Sequence, residues 1–146
     1  MKRSLRLLFL SIIFLFTLSQ ATFAQKEISI NINGNLIKTD TPPIIRNDRV
    51  LVPVRFIAEN LGLKVNWFYE EQKIAIYRPE FENTGGGIFL WIGKNIVGID
   101  EYEEIKIDTP PIIYNNRTMV PIRVVSEIFE KDVRWDGDSR TVYIND

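Results

Sequence analysis

Thr41-Pro42-Pro43-Ile44-Ile45-Arg46-Asn47-Asp48-Arg49-Val50-Leu51-Val52-Pro53-Val54-Arg55 is the stretch on which the chain turns, because it is written twice. It returns as Thr109-Pro110-Pro111-Ile112-Ile113-Tyr114-Asn115-Asn116-Arg117-Thr118-Met119-Val120-Pro121-Ile122-Arg123. At the same spacing Glu59 matches Glu127, Val65 matches Val133, Trp67 matches Trp135 and Ile76 matches Ile144. The reading is a tandem duplication. Each copy has roughly 50 residues, the low end of domain size, where little surface is buried. The copies are therefore expected to pack on each other or on a partner.

Within the repeated stretch the residues dictate a local order. Thr41-Pro42-Pro43 has no two consecutive donors for a ladder and reads as a rigid, extended connector. Asn47-Asp48 is a turn, Arg49–Val52 a short strand, and Pro53 suits the first turn of a helix. Val54, Ile57, Ala58 and Leu61 follow at helical spacing, and Gly62 stops the helix. The second helix, Ile122 to Phe129, has Glu130-Lys131 where the first has its glycine. Arg55 with Glu59, and Arg123 with Glu127, stand four apart and read as surface ion pairs or anchors, not as catalytic groups.

Outward from this stretch, alternation predicts hairpins on both sides. Glu27–Ile37 alternates around Asn33-Gly34, and Lys64–Trp67 pairs with Lys73–Arg78. Trp67 and Trp135 read as core packing over the helix rather than as sugar platforms. Pro79 to Gly87 is polar and ends in three glycines, which read as slack in a linker over residues 81–87. Ile88–Gly93 and Asn95–Ile99 add a pair of strand-like runs that the first copy lacks. Asp136-Gly137-Asp138 lacks the other spaced ligands of a calcium loop and reads as a turn.

The chain has 146 residues, 45% of them hydrophobic and 25% charged, which are globular values. Cysteine and histidine are both absent. That removes disulfides, thiolate nucleophiles, the commonest general base and the usual zinc and copper ligand. An enzymatic reading has only carboxylates, Lys, Tyr and Ser to work with. Outside residues 1–24, 15 basic residues stand against 19 acidic ones, a poor match for nucleic acid, which calls for a basic face.

Residues 1–24 have the layout of a secretory signal peptide. Lys2, Arg3 and Arg6 precede the apolar run Leu7–Leu18, and small residues lead to Ala21 and Ala24, either of which suits cleavage. The run is short of the ~20 residues that span a bilayer, so membrane attachment is expected only through an uncleaved signal, if at all. The expected organisation is a signal at 1–24, a first repeat at 26–80, a linker at 81–87 and a second repeat at 88–146.

Asp108-Thr-Pro-Pro111, Asn116-Arg-Thr-Met-Val-Pro-Ile-Arg123, Glu127 and Val133-Arg-Trp-Asp136 together resemble the copper amine oxidase N-terminal-like, or stalk, domain. The first copy departs at Val50 and at Phe68, where the motif has Thr and Asp. The resemblance implies an α+β fold of two tandem small units, each an antiparallel sheet of about five strands curved around one helix. It also implies an exported, cell-surface or wall-associated bacterial protein. Copper and the oxidase cofactor belong to a different, histidine-bearing domain of that family's enzymes, so neither copper binding nor any other cofactor is expected. The expected function is a non-catalytic binding or scaffolding protein, secreted or at the cell surface, whose partner is cell-wall glycan or another exported protein. The alternative is a small extracellular glycan hydrolase using paired carboxylates, Glu59 with Glu70 or Glu127 with Asp138.

Overall fold

The computed structural model describes residues 27–82, 84–100 and 103–145; the signal peptide read at 1–24 lies outside them. The first half contributes β1 (Ser29–Ile32), β2 (Asn35–Ile37), β3 (Ile44–Arg46), β4 (Arg49–Pro53), helix α1 (Val54–Asn60), β5 (Lys64–Phe68) and β6 (Lys73–Tyr77). A single 3-10 turn at Pro79–Phe81 leads to β7 (Ile88–Trp91). The order then repeats as β8 (Ile96–Ile99), β9 (Glu103–Lys106), β10 (Ile112–Tyr114), β11 (Arg117–Pro121), helix α2 (Ile122–Ile128), β12 (Asp132–Asp136) and β13 (Thr141–Asn145).

The turns are built as their residues demand. Asn47 and Asp48 have φ of 49° and 57°, and Asn115 and Asn116 have 47° and 57°, so both tight hairpins use two left-handed residues that Asn and Asp tolerate. These turns pair Ile44–Arg46 and Ile112–Tyr114 as edge strands. Both helices end in the same way. Gly62 (φ 73°) donates to the Glu59 carbonyl at 3.1 Å and Leu63 to Ala58 at 2.8 Å; Glu130 (φ 61°) donates to Glu127 at 3.0 Å and Lys131 to Ser126 at 2.7 Å. This is the two-bond cap that glycine favours, and in the second half a glutamate adopts it.

The sheets are where expectation and structure part. Two separate units, each with its own antiparallel sheet around one helix, are not what forms. Each of the three sheets takes strands from both halves, in the orders β12-β13-β1-β2, β10-β11-β4-β3 and β5-β6-β7-β8-β9. The α+β class holds, with one mixed sheet, two antiparallel sheets and two helices among the described residues. The first sheet is moreover not purely antiparallel, since β1 runs parallel to β13. The physical reason is that a half of this size leaves strand edges and apolar faces uncovered, and the other half supplies the missing neighbours.

The central sheet carries a local pseudo-twofold. Val52 pairs with Val120, and on either side Pro53 pairs with Met119 and Leu51 with Pro121, so equivalent residues exchange places across β4 and β11. Helix α1 packs on β4, β5 and β11, and α2 on β4, β11 and β12, so each helix touches the other half's central strand. Val52, Val120, Ile57, Val125, Ile76 and Ile144 share one core. The ion pairs follow the same dyad. Arg117 Nη2 lies 2.5 Å from Asp40 Oδ2, and Arg49 binds Asp108, so the Asp before each Thr-Pro-Pro meets the Arg of the other half.

Candidate functional site

Among the described residues, the strand without a counterpart is β7. In the sheet β12-β13-β1-β2 the closing hairpin meets the leading hairpin directly, through β13 and β1. In the five-stranded sheet the equivalent strands β6 and β8 are separated by β7, antiparallel to both. Along β7 the side chains alternate. Ile88 and Leu90, 1% and 0% exposed, enter the core, which sends Phe89 and Trp91 to the outer face.

Register sets what lies beside them. Phe89 stands between Ala75 and Gly98, Gly98 faces Glu104 on β9, and Trp91 is opposite Lys73. Phe68 ends β5 opposite Lys73. The missing side chain of Gly98 opens the surface: a Cβ there would touch the Phe89 Cβ and the tip of the Trp91 ring, both at 3.5 Å. The resulting open cleft of about 610 Å³ has aromatic walls, a glycine floor and the carboxylates of Asp100, Glu103 and Glu104, with Lys73 at one side. Lys73 Nζ is held 2.5 Å from Glu71 Oε2 and sits 4.5 Å from the Phe68 ring centre and 5.8 Å from that of Phe89. Lys94 lies 5.5 Å over Trp91.

The linker glycines are not slack where they enter this strand. Gly87 has φ of 137°, and a Cβ on it would stand 2.5 Å from the Ile76 carbonyl oxygen. Asp100 clamps the same point: its amide donates to the Gly87 carbonyl and its Oδ1 accepts from the Gly87 amide, both at 2.8 Å. Gly87 and Asp100 thus fix the ends of β7 and β8 against each other. On the far side of this clamp a second cleft of about 500 Å³ runs between Phe81, Ile99, Ile128 and Phe129, with Arg78 and Asp100 as its charged groups.

The residues singled out from sequence are dispersed. Glu59 is exposed on α1, Glu70 is exposed in the turn between β5 and β6, and Asp138 is exposed in the turn between β12 and β13. Glu127 is exposed on α2, 3.5 Å from Arg123. None of these four carboxylates lines either cleft. Arg55 and Glu59 do not reach ion-pair distance, unlike their equivalents in α2. Asp136 closes the last hairpin as a turn, its Oδ1 accepting from the amides of Asp138 at 3.0 Å and Ser139 at 3.2 Å; the Ser139 bond chiefly holds its pKa below the ordinary carboxylate value.

The two tryptophans diverge. Trp67 packs against the core as expected, whereas Trp135 is 38% exposed and borders a cleft of about 310 Å³ with Ile45, Arg49 and Arg123. The outward pair Phe89 and Trp91 was visible in the sequence only as part of a strand. Its face was not, because that depends on which of the alternating residues meet the core.

The sequence profile described as the copper amine oxidase N-terminal domain matches residues 31–144, from β1 to β13 and so across both halves. A Brevibacillus choshinensis protein described as a protease inhibitor is 32% identical over 121 residues, covering 80% of this chain and 34% of that protein. The chain spans about a third of that relative's length. With the profile covering most of its residues, this chain belongs to the copper amine oxidase N-terminal domain family.

Proposed function

We propose that this protein is a non-catalytic binding protein that works outside the cytoplasm at the cell wall, with wall glycan as its target. Its two halves are two copies of one unit, duplicated in tandem and folded around the dyad between β4 and β11. The contact surface is the outer face of the five-stranded sheet. The observation that carries this reading is the outward pair Phe89 and Trp91, on a strand that has no counterpart among the described residues of the other half. Flat rings stack on the apolar C–H face of a sugar, and neighbouring carboxylates accept its hydroxyl protons. The strand presents two rings in succession, which suits a linear polymer. Export is supported by the signal-like residues 1–24.

Sedimentation with purified cell-wall sacculi, before and after enzymatic digestion of the glycan, tests the proposal. Retention that disappears on digestion is the expected result. No retention at low salt would overturn it.

A second reading has one specific support, the description of the Brevibacillus choshinensis relative as a protease inhibitor. On that reading the target is an exported protease rather than a glycan. Titration against a panel of extracellular proteases separates the two, since stoichiometric loss of protease activity belongs only to this reading. The hydrolase alternative finds less support, because Glu59, Glu70, Glu127 and Asp138 sit exposed and away from both clefts. Release of reducing ends from sacculi, abolished by Glu59→Gln, would reinstate it.

A further inference from the structure

We infer that the cleft over Gly98 takes a sugar bearing a free ammonium group, so that the preferred polymer is one of non-acetylated amino sugars. This rests on the glycan reading above and narrows it. The argument begins with charge. Asp100, Glu103 and Glu104 border the cleft, and Lys73, the one cation in its lining among the described residues, is paired with Glu71. A neutral sugar laid over this surface can donate hydroxyl protons to the carboxylates but leaves their charge unbalanced. An ammonium supplies the counter-charge.

The rings point the same way. Phe89 and Trp91, the two rings of the cleft, each lie near one of the protein's own ammonium groups, Lys73 at 5.8 Å and Lys94 at 5.5 Å, so both stand where a cation is drawn to an aromatic face. Gly98 completes the fit, since any side chain there would occupy the space between Phe89 and Trp91. A hexosamine combines the two requirements in one residue: an apolar face for the rings and an ammonium for the rim. An N-acetylated hexosamine keeps the face and loses the charge.

The test is calorimetric titration of the protein with glucosamine oligomers and with N-acetylglucosamine oligomers of equal length, beside the sacculus sedimentation. Glucosamine oligomers are expected to bind about tenfold more tightly, with a preference that weakens as salt rises. The Glu103→Gln/Glu104→Gln variant, altered only at exposed positions, should lose that preference, and Gly98→Val should weaken both oligomers. Equal affinity for the two oligomers, with both dependent on Trp91, would overturn the ammonium inference and leave the glycan reading standing. Binding to neither oligomer, with no retention on sacculi, would overturn both. Equal binding of a lysine-rich peptide would replace the amino sugar with a basic protein partner and so overturn the inference. Glucosamine binding indifferent to both Glu103→Gln/Glu104→Gln and Trp91→Ala would overturn the assignment of the site.

Discussion

The sheet β12-β13-β1-β2 and the sheet β5-β6-β7-β8-β9 are built from equivalent hairpins and differ by one strand. In the first, β13 and β1 lie side by side and parallel. In the second, β7 stands between the corresponding strands and is antiparallel to each, which leaves β6 and β8 running in the same direction. An odd antiparallel insertion therefore widens the sheet without reversing anything beyond it, and the β4–β11 pairing is untouched. What changes is the outer face. The narrow sheet shows Arg134 stacked 4.6 Å from Tyr143, while the wide one gains Phe89, Trp91 and the space over Gly98.

The largest expected effect tests whether β7 is an integral strand or an appendage. Leu90 is 0% exposed and belongs to the common core, so Leu90→Ala should cost about 3 kcal/mol, within the range for truncating a buried leucine. Urea unfolding measures it. A cost below about 1 kcal/mol would mean that β7 lies on the core without being part of it. Gly87 sharpens the same comparison. At φ 137°, with its Cβ position 2.5 Å from a backbone oxygen, Gly87→Ala should cost about 2–3 kcal/mol. Gly34→Ala, at the turn of the narrow sheet with φ 84° and open space around it, should cost about 1 kcal/mol. Equal costs would remove the argument that Gly87 is fitted rather than loose.

Binding breaks the comparison from the other side. Trp91→Ala should reduce retention on sacculi about tenfold, the size of one ring's stacking contribution, whereas Tyr143→Ala on the narrow sheet should leave it unchanged. Equal losses would show that the inserted strand has no special part in recognition.

Much of this was legible locally. Asn33-Gly34, Asn47-Asp48 and the runs around them specify turns and strands from neighbouring residues alone, and Pro53 followed by Val54, Ile57 and Ala58 specifies a helix. Sheet membership was not legible, because β1 finds β13 at the other end of the chain, and nothing in Ser29–Ile32 encodes that partner. The repeated motif encouraged the opposite expectation, since a repeat in sequence does not say whether its hydrogen bonds close within one half or between halves. The Asp and Arg of the repeated motif stand about nine residues apart in sequence, yet their ion pairs cross between the halves. The same limit applied to the site. Trp67 and Trp135 share a motif but not an environment, and Phe89 and Trp91 gained meaning only once Ile88 and Leu90 were seen to face inward.

A smaller effect compares the two helix ends. Glu130 holds a left-handed φ of 61° in the cap where the first half has Gly62 at 73°. Its hydrogen bonds are made by the backbone, so a glycine would keep them and shed the steric cost of the Cβ. Glu130→Gly should stabilise the protein by about 1 kcal/mol, less what is lost with its long contact to Arg78 and in chain entropy. Gly62→Glu should destabilise by a similar amount. Thermal unfolding of the two variants gives both signs, and a shift of the same sign in both would break the equivalence of the caps.

The smallest effect belongs to the exchanged ion pairs, which are half exposed and so screened by water and salt. The hydrogen bond from Arg117 is the main reason that the Asp40 carboxyl is held below its usual 3.8, and the same bond raises the Arg117 pKa further from any working pH. Because the folded value is the lower one, folding favours the ionised carboxylate. Its contribution is complete above the unfolded value and disappears as pH falls through the folded one. The protein and its Asp40→Asn variant should therefore converge in stability towards pH 2, diverge up to about pH 5, and stay a constant distance apart above that. Urea midpoints across this range measure the difference, and added salt should shrink it. A gap that persisted unchanged into acid would mean that Asp40 joins the halves by packing or by hydrogen bonds indifferent to its charge. The exchange of ion pairs across the dyad would then be a consequence of the β4–β11 pairing and not one of its causes.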